Sequence, residues 1–231
     1  MQKKKTIDMA VLPGAKKPSF AKGLNFYKLF WVFFLGCFLG VVVETIWVFL
    51  HTHHYQNRTG LVYGPFNLVY GFGAVLITLA LYWLRTHRDL WIFLGGAIVG
   101  SAYEYLCSWL QQMMFGTVSW QYDKMPFNLH GRINLLYAFF WGLLALIWLK
   151  EIYPRMERWI EKIPNRWGVG LTWVLVVFMI ANTLISGAAV GRTTQRKMGL
   201  PPNNKVEEIL DQRFTDERMA QIYPSMVYVG K

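Results

Sequence analysis

Residues 33–44 read FFLGCFLGVVVE, and sixty positions on, residues 93–104 read FLGGAIVGSAYE. Both fit F-x2-G-x3-G-x3-E, carried first by Phe33, Gly36, Gly40 and Glu44 and then by Phe93, Gly96, Gly100 and Glu104. A second string follows each copy: Pro65-Phe66-Asn67-Leu68 returns as Pro126-Phe127-Asn128-Leu129, 61 positions later. Glycine matches alone would carry little weight. Here the match takes in two acids set inside long apolar runs, and then four consecutive residues. The spacing predicts that a pair of helices was copied once, over residues 28–84 and 90–149. Each copy holds two spans, so both keep one orientation, related by a pseudo-twofold axis along the membrane normal.

The surrounding composition is that of a membrane protein. Hydrophobic residues make up 54% of the 231 residues, gathered in blocks long enough to cross a ~30 Å hydrocarbon core, which takes about 20 helical residues. The blocks are 28–50, 66–84, 90–112, 133–149 and 169–190. The fourth is short unless its helix begins near Pro126. The fold class is therefore all-α, a polytopic bundle of about five spans. A basic segment precedes it (1–27), an amphipathic stretch follows the second pair (150–167), and a fifth span (168–190) leads into a soluble tail (191–231).

A net charge of +11 does not point to nucleic acid here. Seven lysines (3, 4, 5, 16, 17, 22 and 28) precede or open the first span, and the 85–89 turn and the 150–167 loop add seven more basic residues on the same face. The two opposite loops carry three. That asymmetry predicts a multi-pass protein of the bacterial cell membrane with a cytoplasmic N-terminus, and the lysines favour anionic headgroups. A tail outside the cell would place Arg192, Arg196 and Lys197 against the rule, yet a fifth crossing is the simplest use of so long an apolar run. Cys37 and Cys107 lie inside spans and make neither a disulfide framework nor a metal motif. The first apolar block lacks a cleavage signature, so it is expected to remain as a span.

A charge at the bilayer centre costs roughly 2.5–3.5 kcal/mol, so an intramembrane acid should be paired or face a polar interior. Glu44 and Glu104 follow the second glycine of each stripe by one helical turn. Gly36/Gly40 and Gly96/Gly100 let helix backbones approach closely, so both acids should look into the bundle. Candidate cations are Arg58, in the first outer loop, and Arg132, near the start of the fourth span. The polar residues Asn128, His130 and Asn134 lie close to Arg132. These seven residues are the expected polar network and substrate path, with a structural ion-pair role as the competing reading. Pro65 and Pro126 suit the first turns of the returning helices. The loops 57–67 and 116–130, rich in Gly, Tyr, Trp, Pro and Asn, should cap the outer mouth.

No catalytic residue stands out: phosphate-binding loop, nucleophile elbow and H-E-x-x-H are all missing from the chain. No cofactor is expected. His51, His53, His54 and His130 form an exposed group rather than a metal site. In the 150–167 stretch, Ile152, Met156, Trp159, Ile160 and Ile163 recur at helical spacing, predicting a surface helix that packs under the bundle or docks a partner. In the tail, Asn204 and Glu207 resemble a capping box, opening a helix with Val206, Ile209 and Leu210 on one face.

Five strings carry a resemblance to a known family: residues 34–44 (FLGCFLGVVVE), 57–73 (NRTGLVYGPFNLVYGFG), 116–122 (GTVSWQY), 126–137 (PFNLHGRINLLY) and, in the tail, 216–226 (DERMAQIYPSM). Together they resemble the bacterial multipass family of type IV ABC-transporter permeases. The resemblance implies a permease subunit working with a separate ATPase, with self-association or a second membrane subunit to complete it. It brings no established catalytic or substrate residues. A permease-like transport subunit is thus the first expectation, with membrane lipids, an ATPase and a homo-oligomer as partners and nucleic acid excluded. A scaffold for other membrane proteins and an enzyme acting on a lipid headgroup remain as alternatives.

Overall fold

Asn25 opens the first helix by accepting from the Lys28 N–H, and α1 (Phe26–Thr52) ends where His53 turns left-handed. The computed structural model describes residues 18–230. Lys3, Lys4, Lys5, Lys16 and Lys17, on which much of the charge argument rests, lie outside the described residues. The chain returns as α2 (Leu68–Leu81), capped by Asn67, and tightens into a 3₁₀ turn over Tyr82–Thr86. α3 (Asp89–Phe115) ends on Gly116, whose φ of +64° suits a residue without a side chain. α4 (Leu135–Ile147) passes through a π turn at Trp148–Ile152 into α5 (Tyr153–Lys162), and α6 (Asn165–Lys197) follows. Among the described residues, five helical segments are long and apolar enough to cross a bilayer. The protein is a multi-pass, all-α membrane bundle.

Backbone contact between helices is set by the glycines. A Cβ on Gly36 would lie 3.0 Å from the Ala74 Cβ and 3.3 Å from the Gly71 Cα, and one on Gly40 would enter the Tyr70 ring at 2.1 Å. In the second pair, a Cβ on Gly96 would lie 2.3 Å from the Ala145 Cβ, and one on Gly100 2.4 Å from Trp141. Lipid tails are as apolar as leucine, so close packing of this kind must replace the hydrophobic effect in joining helices.

Two expectations about boundaries need correction. Pro126 does not begin the fourth helix: residues 123–134 form turns and a two-stranded hairpin of β2 (Asn128–Leu129) and β3 (Ile133–Asn134), and Asn134 caps α4. Pro65 likewise precedes α2, in a bend. The fourth helical segment gains its length at the other end, where α5 continues it to Lys162. Its anchor is Lys28, wholly buried, whose ammonium donates to Glu157 (2.9 Å) and Glu161 (2.7 Å). Trp31, Leu84, Trp148, Tyr153 and Ile160 pack around that end.

The loop 57–67 enters the bundle. Asn67 N–H donates to the Cys37 carbonyl (3.1 Å), so α2 starts opposite Cys37 and well short of the end of α1. Its irregular backbone is satisfied by α6: Val62 N–H donates to Ser186 Oγ, and Asn182 bonds both the N–H and the carbonyl of Tyr63. Non-helical backbone inside a membrane protein requires such partners.

The tail from Met198 returns to this same end. It carries α7 (Lys205–Arg213), α8 (Asp216–Ile222) and β4 (Val227–Tyr228), which pairs antiparallel with β1 (Thr117–Val118). Asn204 accepts from Glu207 N–H as expected, while the Glu207 carboxylate reaches Asn203 instead. Leu210 packs inward; Val206 and Ile209 stay exposed.

Alanine at Gly40 or Gly100 is expected to lower folded yield and the unfolding midpoint in detergent, at a cost of about 1–3 kcal/mol each. Gly170→Ala, which meets nothing within 4 Å, serves as the neutral control. Lys28→Met should destabilise by about 1–3 kcal/mol, discounted from the fully buried case because its acids are partly exposed. A double-mutant cycle with Glu157→Gln and Glu161→Gln should recover much of that as coupling.

Candidate functional site

One helical turn beyond each second glycine stands an acid, and an aromatic side chain from the partner helix crosses that glycine to reach it. The Tyr70 ring lies on Gly40 and its hydroxyl donates to Glu44. The Trp141 ring lies on Gly100 and its indole N–H donates to Glu104 (2.9 Å). Sequence reading missed Tyr70 and Trp141, although a signal was present: both open an aromatic-Gly-x2-Ala string, Tyr70-Gly71…Ala74 and Trp141-Gly142…Ala145.

Beyond this shared frame the two acids differ. Glu44 forms an ion pair with Arg58 (3.0 Å). The same guanidinium donates to Ser225 Oγ of the tail, and its buried Nε has no partner among the described residues. Glu104 is 7% exposed and takes a second neutral donor, the Tyr122 hydroxyl (2.8 Å), from the loop before β2. Tyr122 in turn stacks on Tyr137 of α4. Burial, then the neighbouring Glu104, pushes the Tyr122 hydroxyl above its ordinary range.

The expected four-residue network therefore divides. Glu44 and Arg58 meet; Glu104 and Arg132 do not pair among the described residues. Arg132 instead donates to Ser108 Oγ (2.9 Å) and to Gln112, both on α3. Ser108 and Gln112 carried no signal in the sequence, since polar residues at the end of a span are ordinary. His130 Nδ1 lies 2.9 Å from the Tyr105 hydroxyl. Asn128 closes the hairpin turn by accepting from Gly131 N–H, and Asn134 is occupied as the α4 cap. His51 stacks on Trp47, and among the described residues no three His, Cys, Asp or Glu side chains converge as metal ligands.

The tail closes over the Glu44 half. Tyr223 donates to the Gly60 carbonyl, Asn57 to the Gln221 carbonyl, and Gln56 to Ser225. Burial pushes the Tyr223 hydroxyl up to about 12. Two of the three basic residues that conflicted with the charge rule, Arg192 and Arg196, are paired with acids here. Arg192, 3% exposed, makes a paired contact to Asp211 (2.9 and 2.8 Å), and Arg196 bonds Asp211 and Asp216.

Residues 31–187 match the family described as "Putative ABC-transporter type IV". The match ends before the tail. No curated protein and no solved structure matches the chain.

The hydrogen bond from Arg192 holds the Asp211 carboxyl below its ordinary value of 3.8. A depressed carboxyl contributes stability fully above that ordinary value and loses it as pH falls through the lower, folded one. Tail docking should therefore be intact at neutral pH and weaken only below about pH 4. Limited proteolysis with an acid-tolerant protease checks this, and Asp211→Asn should expose residues 198–230 to cleavage already at pH 7.

Proposed function

The chain belongs to this type IV ABC-transporter family, and on that premise we propose that it is a permease-like membrane subunit whose solute or ion route passes Glu44 and Glu104. The observation that carries the reading is the placement of two carboxylates within the bundle, each bonded by an aromatic donor lying across a helix–helix contact. Intramembrane acids are costly to keep, and where they face an interior they commonly mark a path for polar cargo. The buried Arg58 Nε without a partner supports the same reading, because a polar guest at that point would satisfy it.

The matching construction of α1–α2 and α3–α4 favours an ancestral duplication of one helix pair, with the second connecting loop lengthened. Transport by this class needs ATP hydrolysis from another chain. The natural docking surface is α5 at the Lys28 end, where Trp159 is 74% exposed beside Arg155 and Arg158. Five spans give a narrow bundle, so a second copy or another membrane subunit would complete the route.

Two measurements test the proposal. Purification from native membranes should bring down an ATP-hydrolysing partner. Glu44→Gln and Glu104→Gln, each folded by its unfolding midpoint, should reduce solute-stimulated ATPase activity of that complex by about tenfold or more, the loss of one charge-assisted contact. Unchanged activity in both variants would remove the route from these residues. A stable partner without ATPase activity would point to the scaffold reading instead.

A further inference from the structure

Arg132 is the cation that the transport reading does not use, and its surroundings are those of a built cleft. The hairpin of β2 and β3 separates two adjoining spaces. On one side lies a polar cavity of about 160 Å³, lined by Arg132, Asp123, His130, Ser108 and Gln112, with Val229 of the tail at its edge. On the other lies an apolar groove of about 340 Å³, lined by Phe127, Leu129, Ile133, Leu135 and Ala138. The division follows from strand geometry, because alternate side chains point to opposite faces. Leu129 and Ile133 are directly paired, and His130 and Arg132 project to the other side.

Three observations bear on the occupant. Arg132 and Asp123 line the same cavity, yet they do not form an ion pair with each other among the described residues. Their positions are set independently: Arg132 by Ser108 and Gln112, Asp123 by packing on Gly131, where any Cβ would strike its carboxylate at 2.1 Å. A cation and an anion held apart in one small cavity suit a zwitterion. Next, the groove is unusually apolar and open, with Phe127 81%, Leu135 62% and Leu129 51% exposed. Last, the Ser101 hydroxyl is buried in that groove with no hydrogen-bond partner among the described residues. It lies on the same face of α3 as Ser108, two turns or about 10 Å further along, in the direction an acyl chain would run.

We propose that this cleft binds one phospholipid whose headgroup carries a phosphate and a primary ammonium. The phosphate sits on Arg132, with His130 beside it, and the ammonium, one two-carbon bridge away, sits on Asp123. An acyl chain lies along Phe127, Leu129, Ile133 and Leu135, and an ester carbonyl accepts from Ser101. Guanidinium recognises phosphate through paired, charge-assisted hydrogen bonds. The Asp123 carboxylate disfavours a headgroup with net negative charge. This site borders Glu104, whose donor Tyr122 precedes Asp123, but it uses other residues and its test does not depend on the transport reading.

The test uses the full chain in detergent and native mass spectrometry with phosphatidylethanolamine, phosphatidylglycerol of the same acyl chains, and deacylated glycerophosphoethanolamine. The wild type should retain phosphatidylethanolamine in preference to phosphatidylglycerol by about tenfold, and bind the deacylated headgroup at least about a hundredfold more weakly. Arg132→Gln should weaken both lipids by about tenfold or more. Asp123→Asn, an exposed position whose side chain makes no hydrogen bond among the described residues, should abolish the preference while leaving phosphatidylglycerol bound. Equal retention of the two lipids by the wild type would overturn the zwitterion assignment. Tight binding of the deacylated headgroup would overturn the lipid in favour of a soluble solute. Should Arg132→Gln lower the unfolding midpoint, the Asp123→Asn result alone decides: a preference that survives it sinks the proposal.

Discussion

Glycine-mediated contact between α1 and α2, and again between α3 and α4, is the constraint from which the rest of the arrangement follows. Within lipid there is no hydrophobic gain from bringing two apolar helices together, so association depends on close packing and on polar bonds. Gly36 against Gly71 and Ala74, and Gly96 against Gly142 and Ala145, remove the side chains that would hold the backbones apart. That proximity lets an aromatic ring lie flat across Gly40 or Gly100 with its polar edge reaching one turn further. The acid is therefore supplied with a donor by the same contact that joins the helices.

The same frame accommodates two different electrostatic environments. In the first pair, a loop drawn into the bundle brings Arg58 to Glu44, and α6 supplies Asn182 and Ser186 to satisfy that loop's backbone. In the second pair the loop is longer and folds as a hairpin. It delivers the neutral Tyr122 to Glu104 and carries Arg132 away to Ser108 and Gln112. Two helix pairs built on the same kind of contact thus differ chiefly in their connecting loops, which is where chemistry varies most cheaply on a rigid scaffold.

The two ends of the bundle are closed by different means. At the Lys28 end a buried ammonium between two carboxylates ties α1 to α5, amid a large apolar cluster. At the Arg58 end the closure is made by backbone pairing of β1 with β4 and by the Arg192 and Arg196 clamps on Asp211 and Asp216. Pairing also resolves the local excess of positive charge after α6, since basic residues matched by acids in the tail no longer count as free charge at the membrane edge.

Hydropathy and spacing alone indicated about five spans, the glycine faces, the acids that follow them, and Arg58 as one of two candidate cations. These are properties of local periodicity, and a helix of fixed pitch turns spacing into direction. What only the tertiary structure decided depends on contacts between distant segments. Asn134, not Pro126, starts the fourth helix, because the hairpin before it has its own pairing. Lys28 looked like one more lysine in a basic run until Glu157 and Glu161, more than a hundred residues away, surrounded it. Arg132 was expected in one network with both acids, but Ser108 and Gln112, one and two turns beyond Glu104 on α3, bind it instead. The tail's side followed from strand pairing and ion pairs that no local pattern encodes, since their energy arises only once both partners are in place.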